Sequence, residues 1–226
     1  MVAPVMRIVI AGGHGKIARE LTRILAADQH EVVGLIRKPE QSADLMVDGA
    51  IPEVVDLESA SVDEVAKILK GADAAVFAAG AGPGSGKERK ETVDLGAAVL
   101  LADAAESAGV ERFIQISSMG NDLVRDGAIP EGMDEVFVAY LRAKLAAEED
   151  LKTRGLKWTI VRPGQLTDDA GSGLVRLDLV EERGPVPRAD VAAVLAELLR
   201  TGAGARQLLN LISGDVPVKD AVAAFA

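Results

Sequence analysis

The sequence predicts an α/β protein built on a doubly wound parallel sheet, three layers deep, and three observations carry that prediction. Short runs rich in Val and Ile alternate with longer runs whose apolar residues recur at helical spacing. The short runs are apolar nearly throughout instead of alternating, as strands covered by helices on both faces must be. The first of them breaks on a glycine-rich turn, AGGHGKIA at residues 11–18, that leads straight into the first helical run.

Taken in order, VMRIVIA, HEVVGLI, a short IPEVVDL, DAAVFAA, RFIQIS and LKWTIVR are the strand candidates, each bounded by Gly, Asp or Pro. KIARELTRILAAD, SVDEVAKILKG, KETVDLGAAVLLADAAESAG and VAYLRAKLAAEEDLKTRG lie between them and read as helices. A Gly just past the end of each of the last three is a fitting helix stop. Parallel neighbours need a crossover connection, so this alternation reads as a repeated βα unit. After Pro163 the pattern loosens into a strand (GLVRLDLVEE), a helix (RADVAAVLAELLRT), a strand (RQLLNLIS) and a short helix (VKDAVAAF). The expectation is one domain over residues 1–226, with a small cap contributed mainly by 165–226.

Composition narrows the functions available. With 25 basic against 35 acidic residues among 226, the formal charge of −10 opposes a non-specific grip on nucleic acid or an anionic membrane. A basic, aromatic stripe of the kind that binds single strands is also missing. There is no Cys, which excludes disulfides and thiolate chemistry, and two scattered His do not make a metal site. MVAPVMRIVIAGG lacks a charged region ahead of its apolar run, and no segment approaches the roughly 18 apolar residues of a membrane span, so a cytoplasmic location is expected.

A strand that bends through glycines into a helix aims free backbone N–H groups, and the positive end of the helix dipole, at one point. That geometry suits a pyrophosphate, and the turn backbone of Gly12, Gly13, His14, Gly15, Lys16 and Ile17 is the candidate cradle. Two spacings fit: Gly13, Gly15 and Ala18, or Gly12, Gly15 and Ala18. His14 offers the turn a second donor, although its default reading is an exposed loop histidine. At the end of the second strand, where a site for NAD usually carries an acid for the ribose hydroxyls, this chain has Arg37, 19 residues after Ala18, followed by Lys38. A guanidinium grips a 2′-phosphate with two hydrogen bonds, so NADP is favoured. The competing reading of RKPEQ is a solvated loop. Asp56, at the end of the third strand, is placed to accept from an adenine amino group or to cap the following helix. GAGPGSGKE resembles a phosphate-binding loop but carries Ala81 where its first glycine belongs and Glu88 where a magnesium-holding hydroxyl belongs. FAAGAG reads instead as a second glycine bend, passing Ala78, Ala79 and Gly80 over the cofactor.

Tyr140 and Lys144 are four residues apart and share one face of a helix. An ammonium beside a phenol favours the phenolate, which suits proton transfer. Ser117 and Ser118 end the strand RFIQIS at the sheet edge, where a hydroxyl would orient a substrate oxygen. Glu148, Glu149 and Asp150, farther along the Tyr140 helix, read as a solvated acidic face. The polar loop NDLVRDGAIPEGMDEV is long enough to close over a substrate.

The ordered set GGHGKIA, Arg37, FAAG, VDLGAAVLLADAA, ISSMG, YLRAK and WTIVRPG resembles the short-chain dehydrogenase/reductase superfamily, and within it the atypical, NmrA-like and epimerase-like group, over nearly the whole chain. The resemblance implies a Rossmann-type fold and NADP as cofactor. It selects Gly12, Gly15 and Ala18 as the turn register. By the same resemblance Tyr140 and Lys144 match the Tyr-x-x-x-Lys element, Ser118, or less well Ser117, the serine, and Asp94 the asparagine position, where a carboxylate departs from the superfamily pattern. Arg162, Pro163 and Gly164 are implied beside the nicotinamide, with an ion-pair role for Arg162 as the other reading. Two functions follow: an NADPH-dependent reductase or epimerase acting on a small-molecule substrate, or a non-catalytic NADP-binding redox sensor or assembly factor. The sequence admits a homo-oligomer and does not name the substrate.

Overall fold

The structure is a computed structural model and describes residues 4–82 and 84–226. The chain runs β1 (Arg7–Ala11), α1 (Lys16–Ala27), β2 (Glu31–Ile36), α2 (Ser42–Asp48), β3 (Ala50–Val54), α3 (Val62–Leu69) and β4 (Ala74–Phe77). It continues with α4 (Lys87–Arg89), α5 (Ala97–Ala108), β5 (Arg112–Ile116), α6 (Glu135–Thr153), β6 (Lys157–Pro163) and β7 (Gln165–Thr167). The last third contributes β8 (Leu174–Asp178), β9 (Pro185–Pro187), α7 (Arg188–Thr201), β10 (Gln207–Ser213), β11 (Val216–Pro217) and α8 (Val218–Ala223). Nine strands form one sheet in the order β11-β8-β10-β6-β5-β4-β1-β2-β3. Strands from β10 to β3 are parallel, and β8 and β11 close that edge antiparallel.

The alternation of side chains along β1 explains the three layers. Ile8 and Ile10 enter one core with Leu21 and Leu25 of α1 and Leu195 and Leu198 of α7. Val9 and Ala11 enter the opposite core with Leu101 of α5 and Leu151 of α6. A strand buried on both faces reads as a nearly continuous apolar run, which is why β1, β2, β4, β5 and β6 are visible as such runs, whereas the edge strand β3 leaves Ile51, Glu53 and Val54 exposed. Strand order reverses at β1, whose neighbours are β4 on one side and β2 on the other. In open sheets of this kind ligands bind beyond the carboxyl ends of the strands at that switch point.

Four local features differ from expectation. Residues 165–226 are not mainly a cap: β10 pairs parallel with β6 and extends the central sheet, while only the β7–β9 pair stands outside it. Residues 42–48, unassigned in the sequence, form α2, which ends on Gly49 in the left-handed region at φ 96°. The helix expected over KETVDLGAAVLLADAAESAG is interrupted, because residues Lys90–Gly96 form a π-helical segment between α4 and α5. β3 stops at Val54, so Asp56 lies in the loop beyond it. Among the described residues no helix is long and apolar enough to cross a membrane.

Candidate functional site

The turn after β1 is held by close packing. Gly12 has φ +77°, and a Cβ there would lie 2.6 Å from the Cα of Ala79, two residues beyond β4. Gly13 donates its N–H to the Leu35 carbonyl at 2.9 Å, and its own Cβ would meet Gly34 at 2.9 Å. Gly13 therefore locks the turn onto β2, and Gly12 brings it against β4. Gly15 caps α1 without a side-chain hydrogen bond. The first-turn N–H groups of Lys16, Ile17 and Ala18 have no intrahelical acceptor, and they point toward the switch point.

A cavity of about 340 Å³ runs outward from this turn, lined by Gly12, His14, Gly15, Arg37, Lys38, Asp56, Glu58 and Arg89 and floored by Ala78, Ala79 and Gly80. Arg37 Nη1 donates to Glu58 at 3.1 Å and Arg89 Nη2 to the same carboxylate oxygen at 2.7 Å. The Thr92 hydroxyl bonds the other oxygen at 2.6 Å, and that bond, with the two guanidiniums, holds the Glu58 carboxyl below the usual range despite its burial. Two arginines are thus gathered at the mouth of β2. Asp56 lines the same wall, where its Oδ1 accepts the Glu58 N–H at 3.1 Å. The cap of α3 belongs to Ser61 and its reciprocal bonds with Glu64, so the capping alternative for Asp56 is set aside. His14 is not simply an exposed loop residue: half-buried, it pairs with Asp44 of α2 at 2.7 Å. Lys16 turns away to Asp168.

Ala78, Ala79, Gly80 and Ala81 also floor a second cavity of about 520 Å³, so the groove continues past Ile17 to Asp94, Ser117, Tyr140 and Lys144. Lys144 is buried, with Nζ 3.2 Å from Asp94 Oδ1, 3.3 Å from the Ile116 carbonyl and 5.9 Å from the centre of the Tyr140 ring. Asp94 is 1% exposed on the π-helical segment, and its other oxygen accepts the Ala81 N–H at 3.2 Å. A carboxylate at this position thus ties the glycine bend after β4 to the helix that carries Tyr140. Lys90 adds a second ammonium, 5.3 Å from the Tyr140 ring centre and bonded to the Gly82 carbonyl at 2.9 Å. Tyr140 is half-buried and stacks on Phe137 with centroids 5.8 Å apart.

On the far side of Tyr140 opens a chamber of about 670 Å³ that includes Ser118, Pro163 and Gly164. Ser118 and Ser117 separate cleanly. Ser118 Oγ faces the chamber and donates to the Met119 carbonyl at 3.1 Å, whereas Ser117 Oγ donates to the buried Glu148 at 2.5 Å.

Arg162 and Glu148 lie away from where the sequence places them, paired with each other in the interior. Arg162 lines none of these cavities; 3% exposed, it donates to Glu148 at 2.8 and 2.6 Å and to Asp122 at 2.6 Å. Burial alone would lower its basicity, but the bonds to Glu148 and Asp122 outweigh it and raise the guanidinium above its ordinary value. Glu148 is 0% exposed and completes the network with Asn121 at 2.9 Å, so the acidic run is not wholly a solvated face. Arg162 thus stands as a structural ion pair beneath the site. Pro163 and Gly164 belong to the chamber wall, not to the groove.

The sequence also hid residues. Glu58, Arg89, Lys90 and Phe137 line the groove, and Arg89 and Lys90 directly follow GAGPGSGKE, the run that resembles a phosphate loop, with no motif of their own to mark them. Pro83, inside that run, lies outside the described residues.

A parallel sheet whose switch point carries an uncapped glycine turn and an open groove defines a dinucleotide-binding protein. The chain belongs to the NAD(P)H-binding family, whose model matches residues 12–201. It is 33% identical to an uncharacterized sugar epimerase of Bacillus subtilis, YhfK, over 96% of this chain and 99% of that one. Among solved structures, a candidate NAD-dependent epimerase/dehydratase of Bacillus halodurans superposes with a TM-score of 0.87 at 34% identity, covering 97% of this chain and 99% of that one. The anaerobilin reductase ChuY of Escherichia coli O157:H7 superposes with a TM-score of 0.77 at 28% identity, covering 93% and 98%. These findings support the atypical short-chain dehydrogenase/reductase and NmrA-like grouping that the motifs resemble.

Proposed function

We propose that the protein is an NADP(H)-dependent oxidoreductase or epimerase that acts on a small-molecule substrate in the cytoplasm, without nucleic acid or membrane as partner. The observation that carries this reading is the position of Tyr140, which lines both the groove that holds Lys144 and the chamber that holds Ser118. Bound in the groove, the cofactor supplies hydride chemistry. The residues present fit it: the uncapped N–H groups of α1 receive the pyrophosphate, Gly12 lets the backbone approach, and Arg37 with Arg89 faces a 2′-phosphate. Asp56 lies on the wall expected to face the adenine.

Tyr140 gives or takes the proton at the substrate oxygen, and Ser118 orients that oxygen by hydrogen bonding. Lys144 keeps a positive charge beside the phenol and offers donors to the nicotinamide ribose. Asp94 positions the Lys144 ammonium and keeps the buried charge compensated. That same pairing favours a second reading, a non-catalytic NADP-binding sensor or assembly factor, because part of the charge of Lys144 is already answered by Asp94.

Tyr140→Phe separates the two. The enzymatic reading predicts that NADPH oxidation with a carbonyl substrate falls by at least about 100-fold, the usual scale of general acid catalysis, while cofactor affinity is kept. Oxidation unchanged by the substitution rejects Tyr140 as the proton-transfer group.

A further inference from the structure

The chamber beyond Tyr140 has a wall whose chemistry selects a substrate class. Its polar lining side chains are Ser118, Tyr140, Gln165 and Arg183, and none of its lining residues is Asp, Glu, Asn or His. Most of the remaining surface is Met119, Leu123, Met133, Phe137, Leu141 and Leu166, with Gly and Pro between them. Leu123 and Phe137 stay 42% and 47% exposed, large apolar side chains left facing open space at the chamber. At about 670 Å³ the volume falls within the usual range for a small-molecule pocket.

Arg183 differs from every other arginine. Among the described residues it is the one arginine with no hydrogen-bond or ion-pair partner, and the other guanidiniums all reach a carboxylate or a carbonyl. Arg142, Arg112 and Arg206, for instance, donate to the carbonyls of Gly127, Leu199 and Gly155. The guanidinium of Arg183 sits beside Gly120, with Nη2 4.0 Å from where a Cβ on that glycine would be. Neither neighbouring acid claims it. Glu181 accepts the Gly120 N–H at 3.2 Å and lies 3.8 Å from Arg162, while Glu182 pairs with Arg176. In a chain of net charge −10, one cation with all its donors free stands at the wall of an apolar chamber.

We infer that the chamber takes a largely apolar carbonyl compound bearing one carboxylate, which Arg183 binds, and not a polyhydroxylated sugar. A planar apolar body buries its surface against the Met, Leu and Phe side chains, and a carboxylate matches the guanidinium fork with two parallel hydrogen bonds. A sugar would set several hydroxyls against those apolar side chains and strip their water without replacing it. This assignment rests on the catalytic reading above only for the placement of the carbonyl at Tyr140 and Ser118. The contacts with the apolar wall and with Arg183 do not depend on it.

The test is calorimetric titration with 2-naphthoate, which no reductase turns over here, beside its neutral methyl ester and glucose 6-phosphate, which puts an anion on a polyol. The protein is measured with and without NADPH. Naphthoate is expected to bind at least about tenfold more tightly than glucose 6-phosphate, and Arg183→Met to weaken naphthoate about tenfold while leaving the ester within twofold. Naphthoate affinity indifferent to Arg183→Met, or tighter binding of glucose 6-phosphate, overturns the inference. NADPH oxidation with 6-formyl-2-naphthoate reports on the catalytic reading separately. The expected binding pattern without oxidation upholds the substrate class and rejects the reductase reading; oxidation with a KM indifferent to Arg183→Met does the opposite.

Discussion

Replacing Arg162 with Met distinguishes a structural arginine from one that touches cofactor. The guanidinium makes two bonds to Glu148, at 2.8 and 2.6 Å, and two to Asp122, at 2.6 and 3.4 Å, all from a side chain that is 3% exposed. Its removal leaves Glu148, 0% exposed, with the Ser117 hydroxyl at 2.5 Å, the Asn121 amide at 2.9 Å and Lys152 at 3.8 Å. Breaking one side of a buried ion pair costs about 3–5 kcal/mol, and the surviving hydrogen bonds put this case near the lower end, about 3 kcal/mol. At a urea slope of about 3 kcal/mol/M, the unfolding midpoint falls by about 1 M. Urea unfolding followed by circular dichroism reads the shift, and an NADPH titration of the folded variant reads the site. Arg162→Met combined with Glu148→Leu removes the stranded charge and recovers most of the loss. A single variant within about 0.5 kcal/mol of the wild type, or one that stays folded yet loses NADPH affinity tenfold, refutes the structural assignment.

Two further outcomes follow from the same geometry. Gly12→Ala forces a side chain into the left-handed region and against the Ala79 backbone, so it is expected to cost about 3 kcal/mol in thermal or urea unfolding and to abolish NADPH binding. Asp122 has its carboxyl lowered from 3.8 to about 2, chiefly by the Arg162 hydrogen bond. A lowered native value means that its contribution to stability is complete above about pH 4 and is lost as the pH falls through about 2. Asp122→Asn removes that component, and its acid-unfolding curve should be flatter than that of the wild type over this window.

The sheet was legible because burial on both faces leaves its mark along a strand: Ile8 and Ile10 face one core and Val9 and Ala11 the other, so β1 beyond Arg7 has no polar position to disguise it. β7, β9 and β11 carry no such mark; each is two or three residues long and exists through its pairing partner. α2 was hidden for a related reason, since it buries only Leu45 and Asp48. Within the site, Tyr140 and Lys144 were visible because one helix sets their spacing. Glu148 was misread because its partner, Arg162, comes from β6, and one residue of an acidic run gives no sign of which strand it will meet. The same holds for Glu58, which gathers Arg37 from the loop after β2 and Arg89 from α4. Arg183 had no sequence signal at all. Its role depends on the absence of a partner, which only the folded chain displays.

The central claim is that the glycine turn, the arginines at the end of β2 and the groove to Tyr140 form one site for a phosphorylated nicotinamide dinucleotide. Its most direct test is a fluorescence titration of the wild-type protein with NADPH and with NADH, repeated for Arg37→Ala. The account predicts saturable one-to-one binding, with NADPH favoured by at least about tenfold as expected for a charge-assisted contact to the 2′-phosphate, and with most of that preference erased in the variant. Equal affinity of the wild type for the two cofactors, or binding of neither, contradicts it.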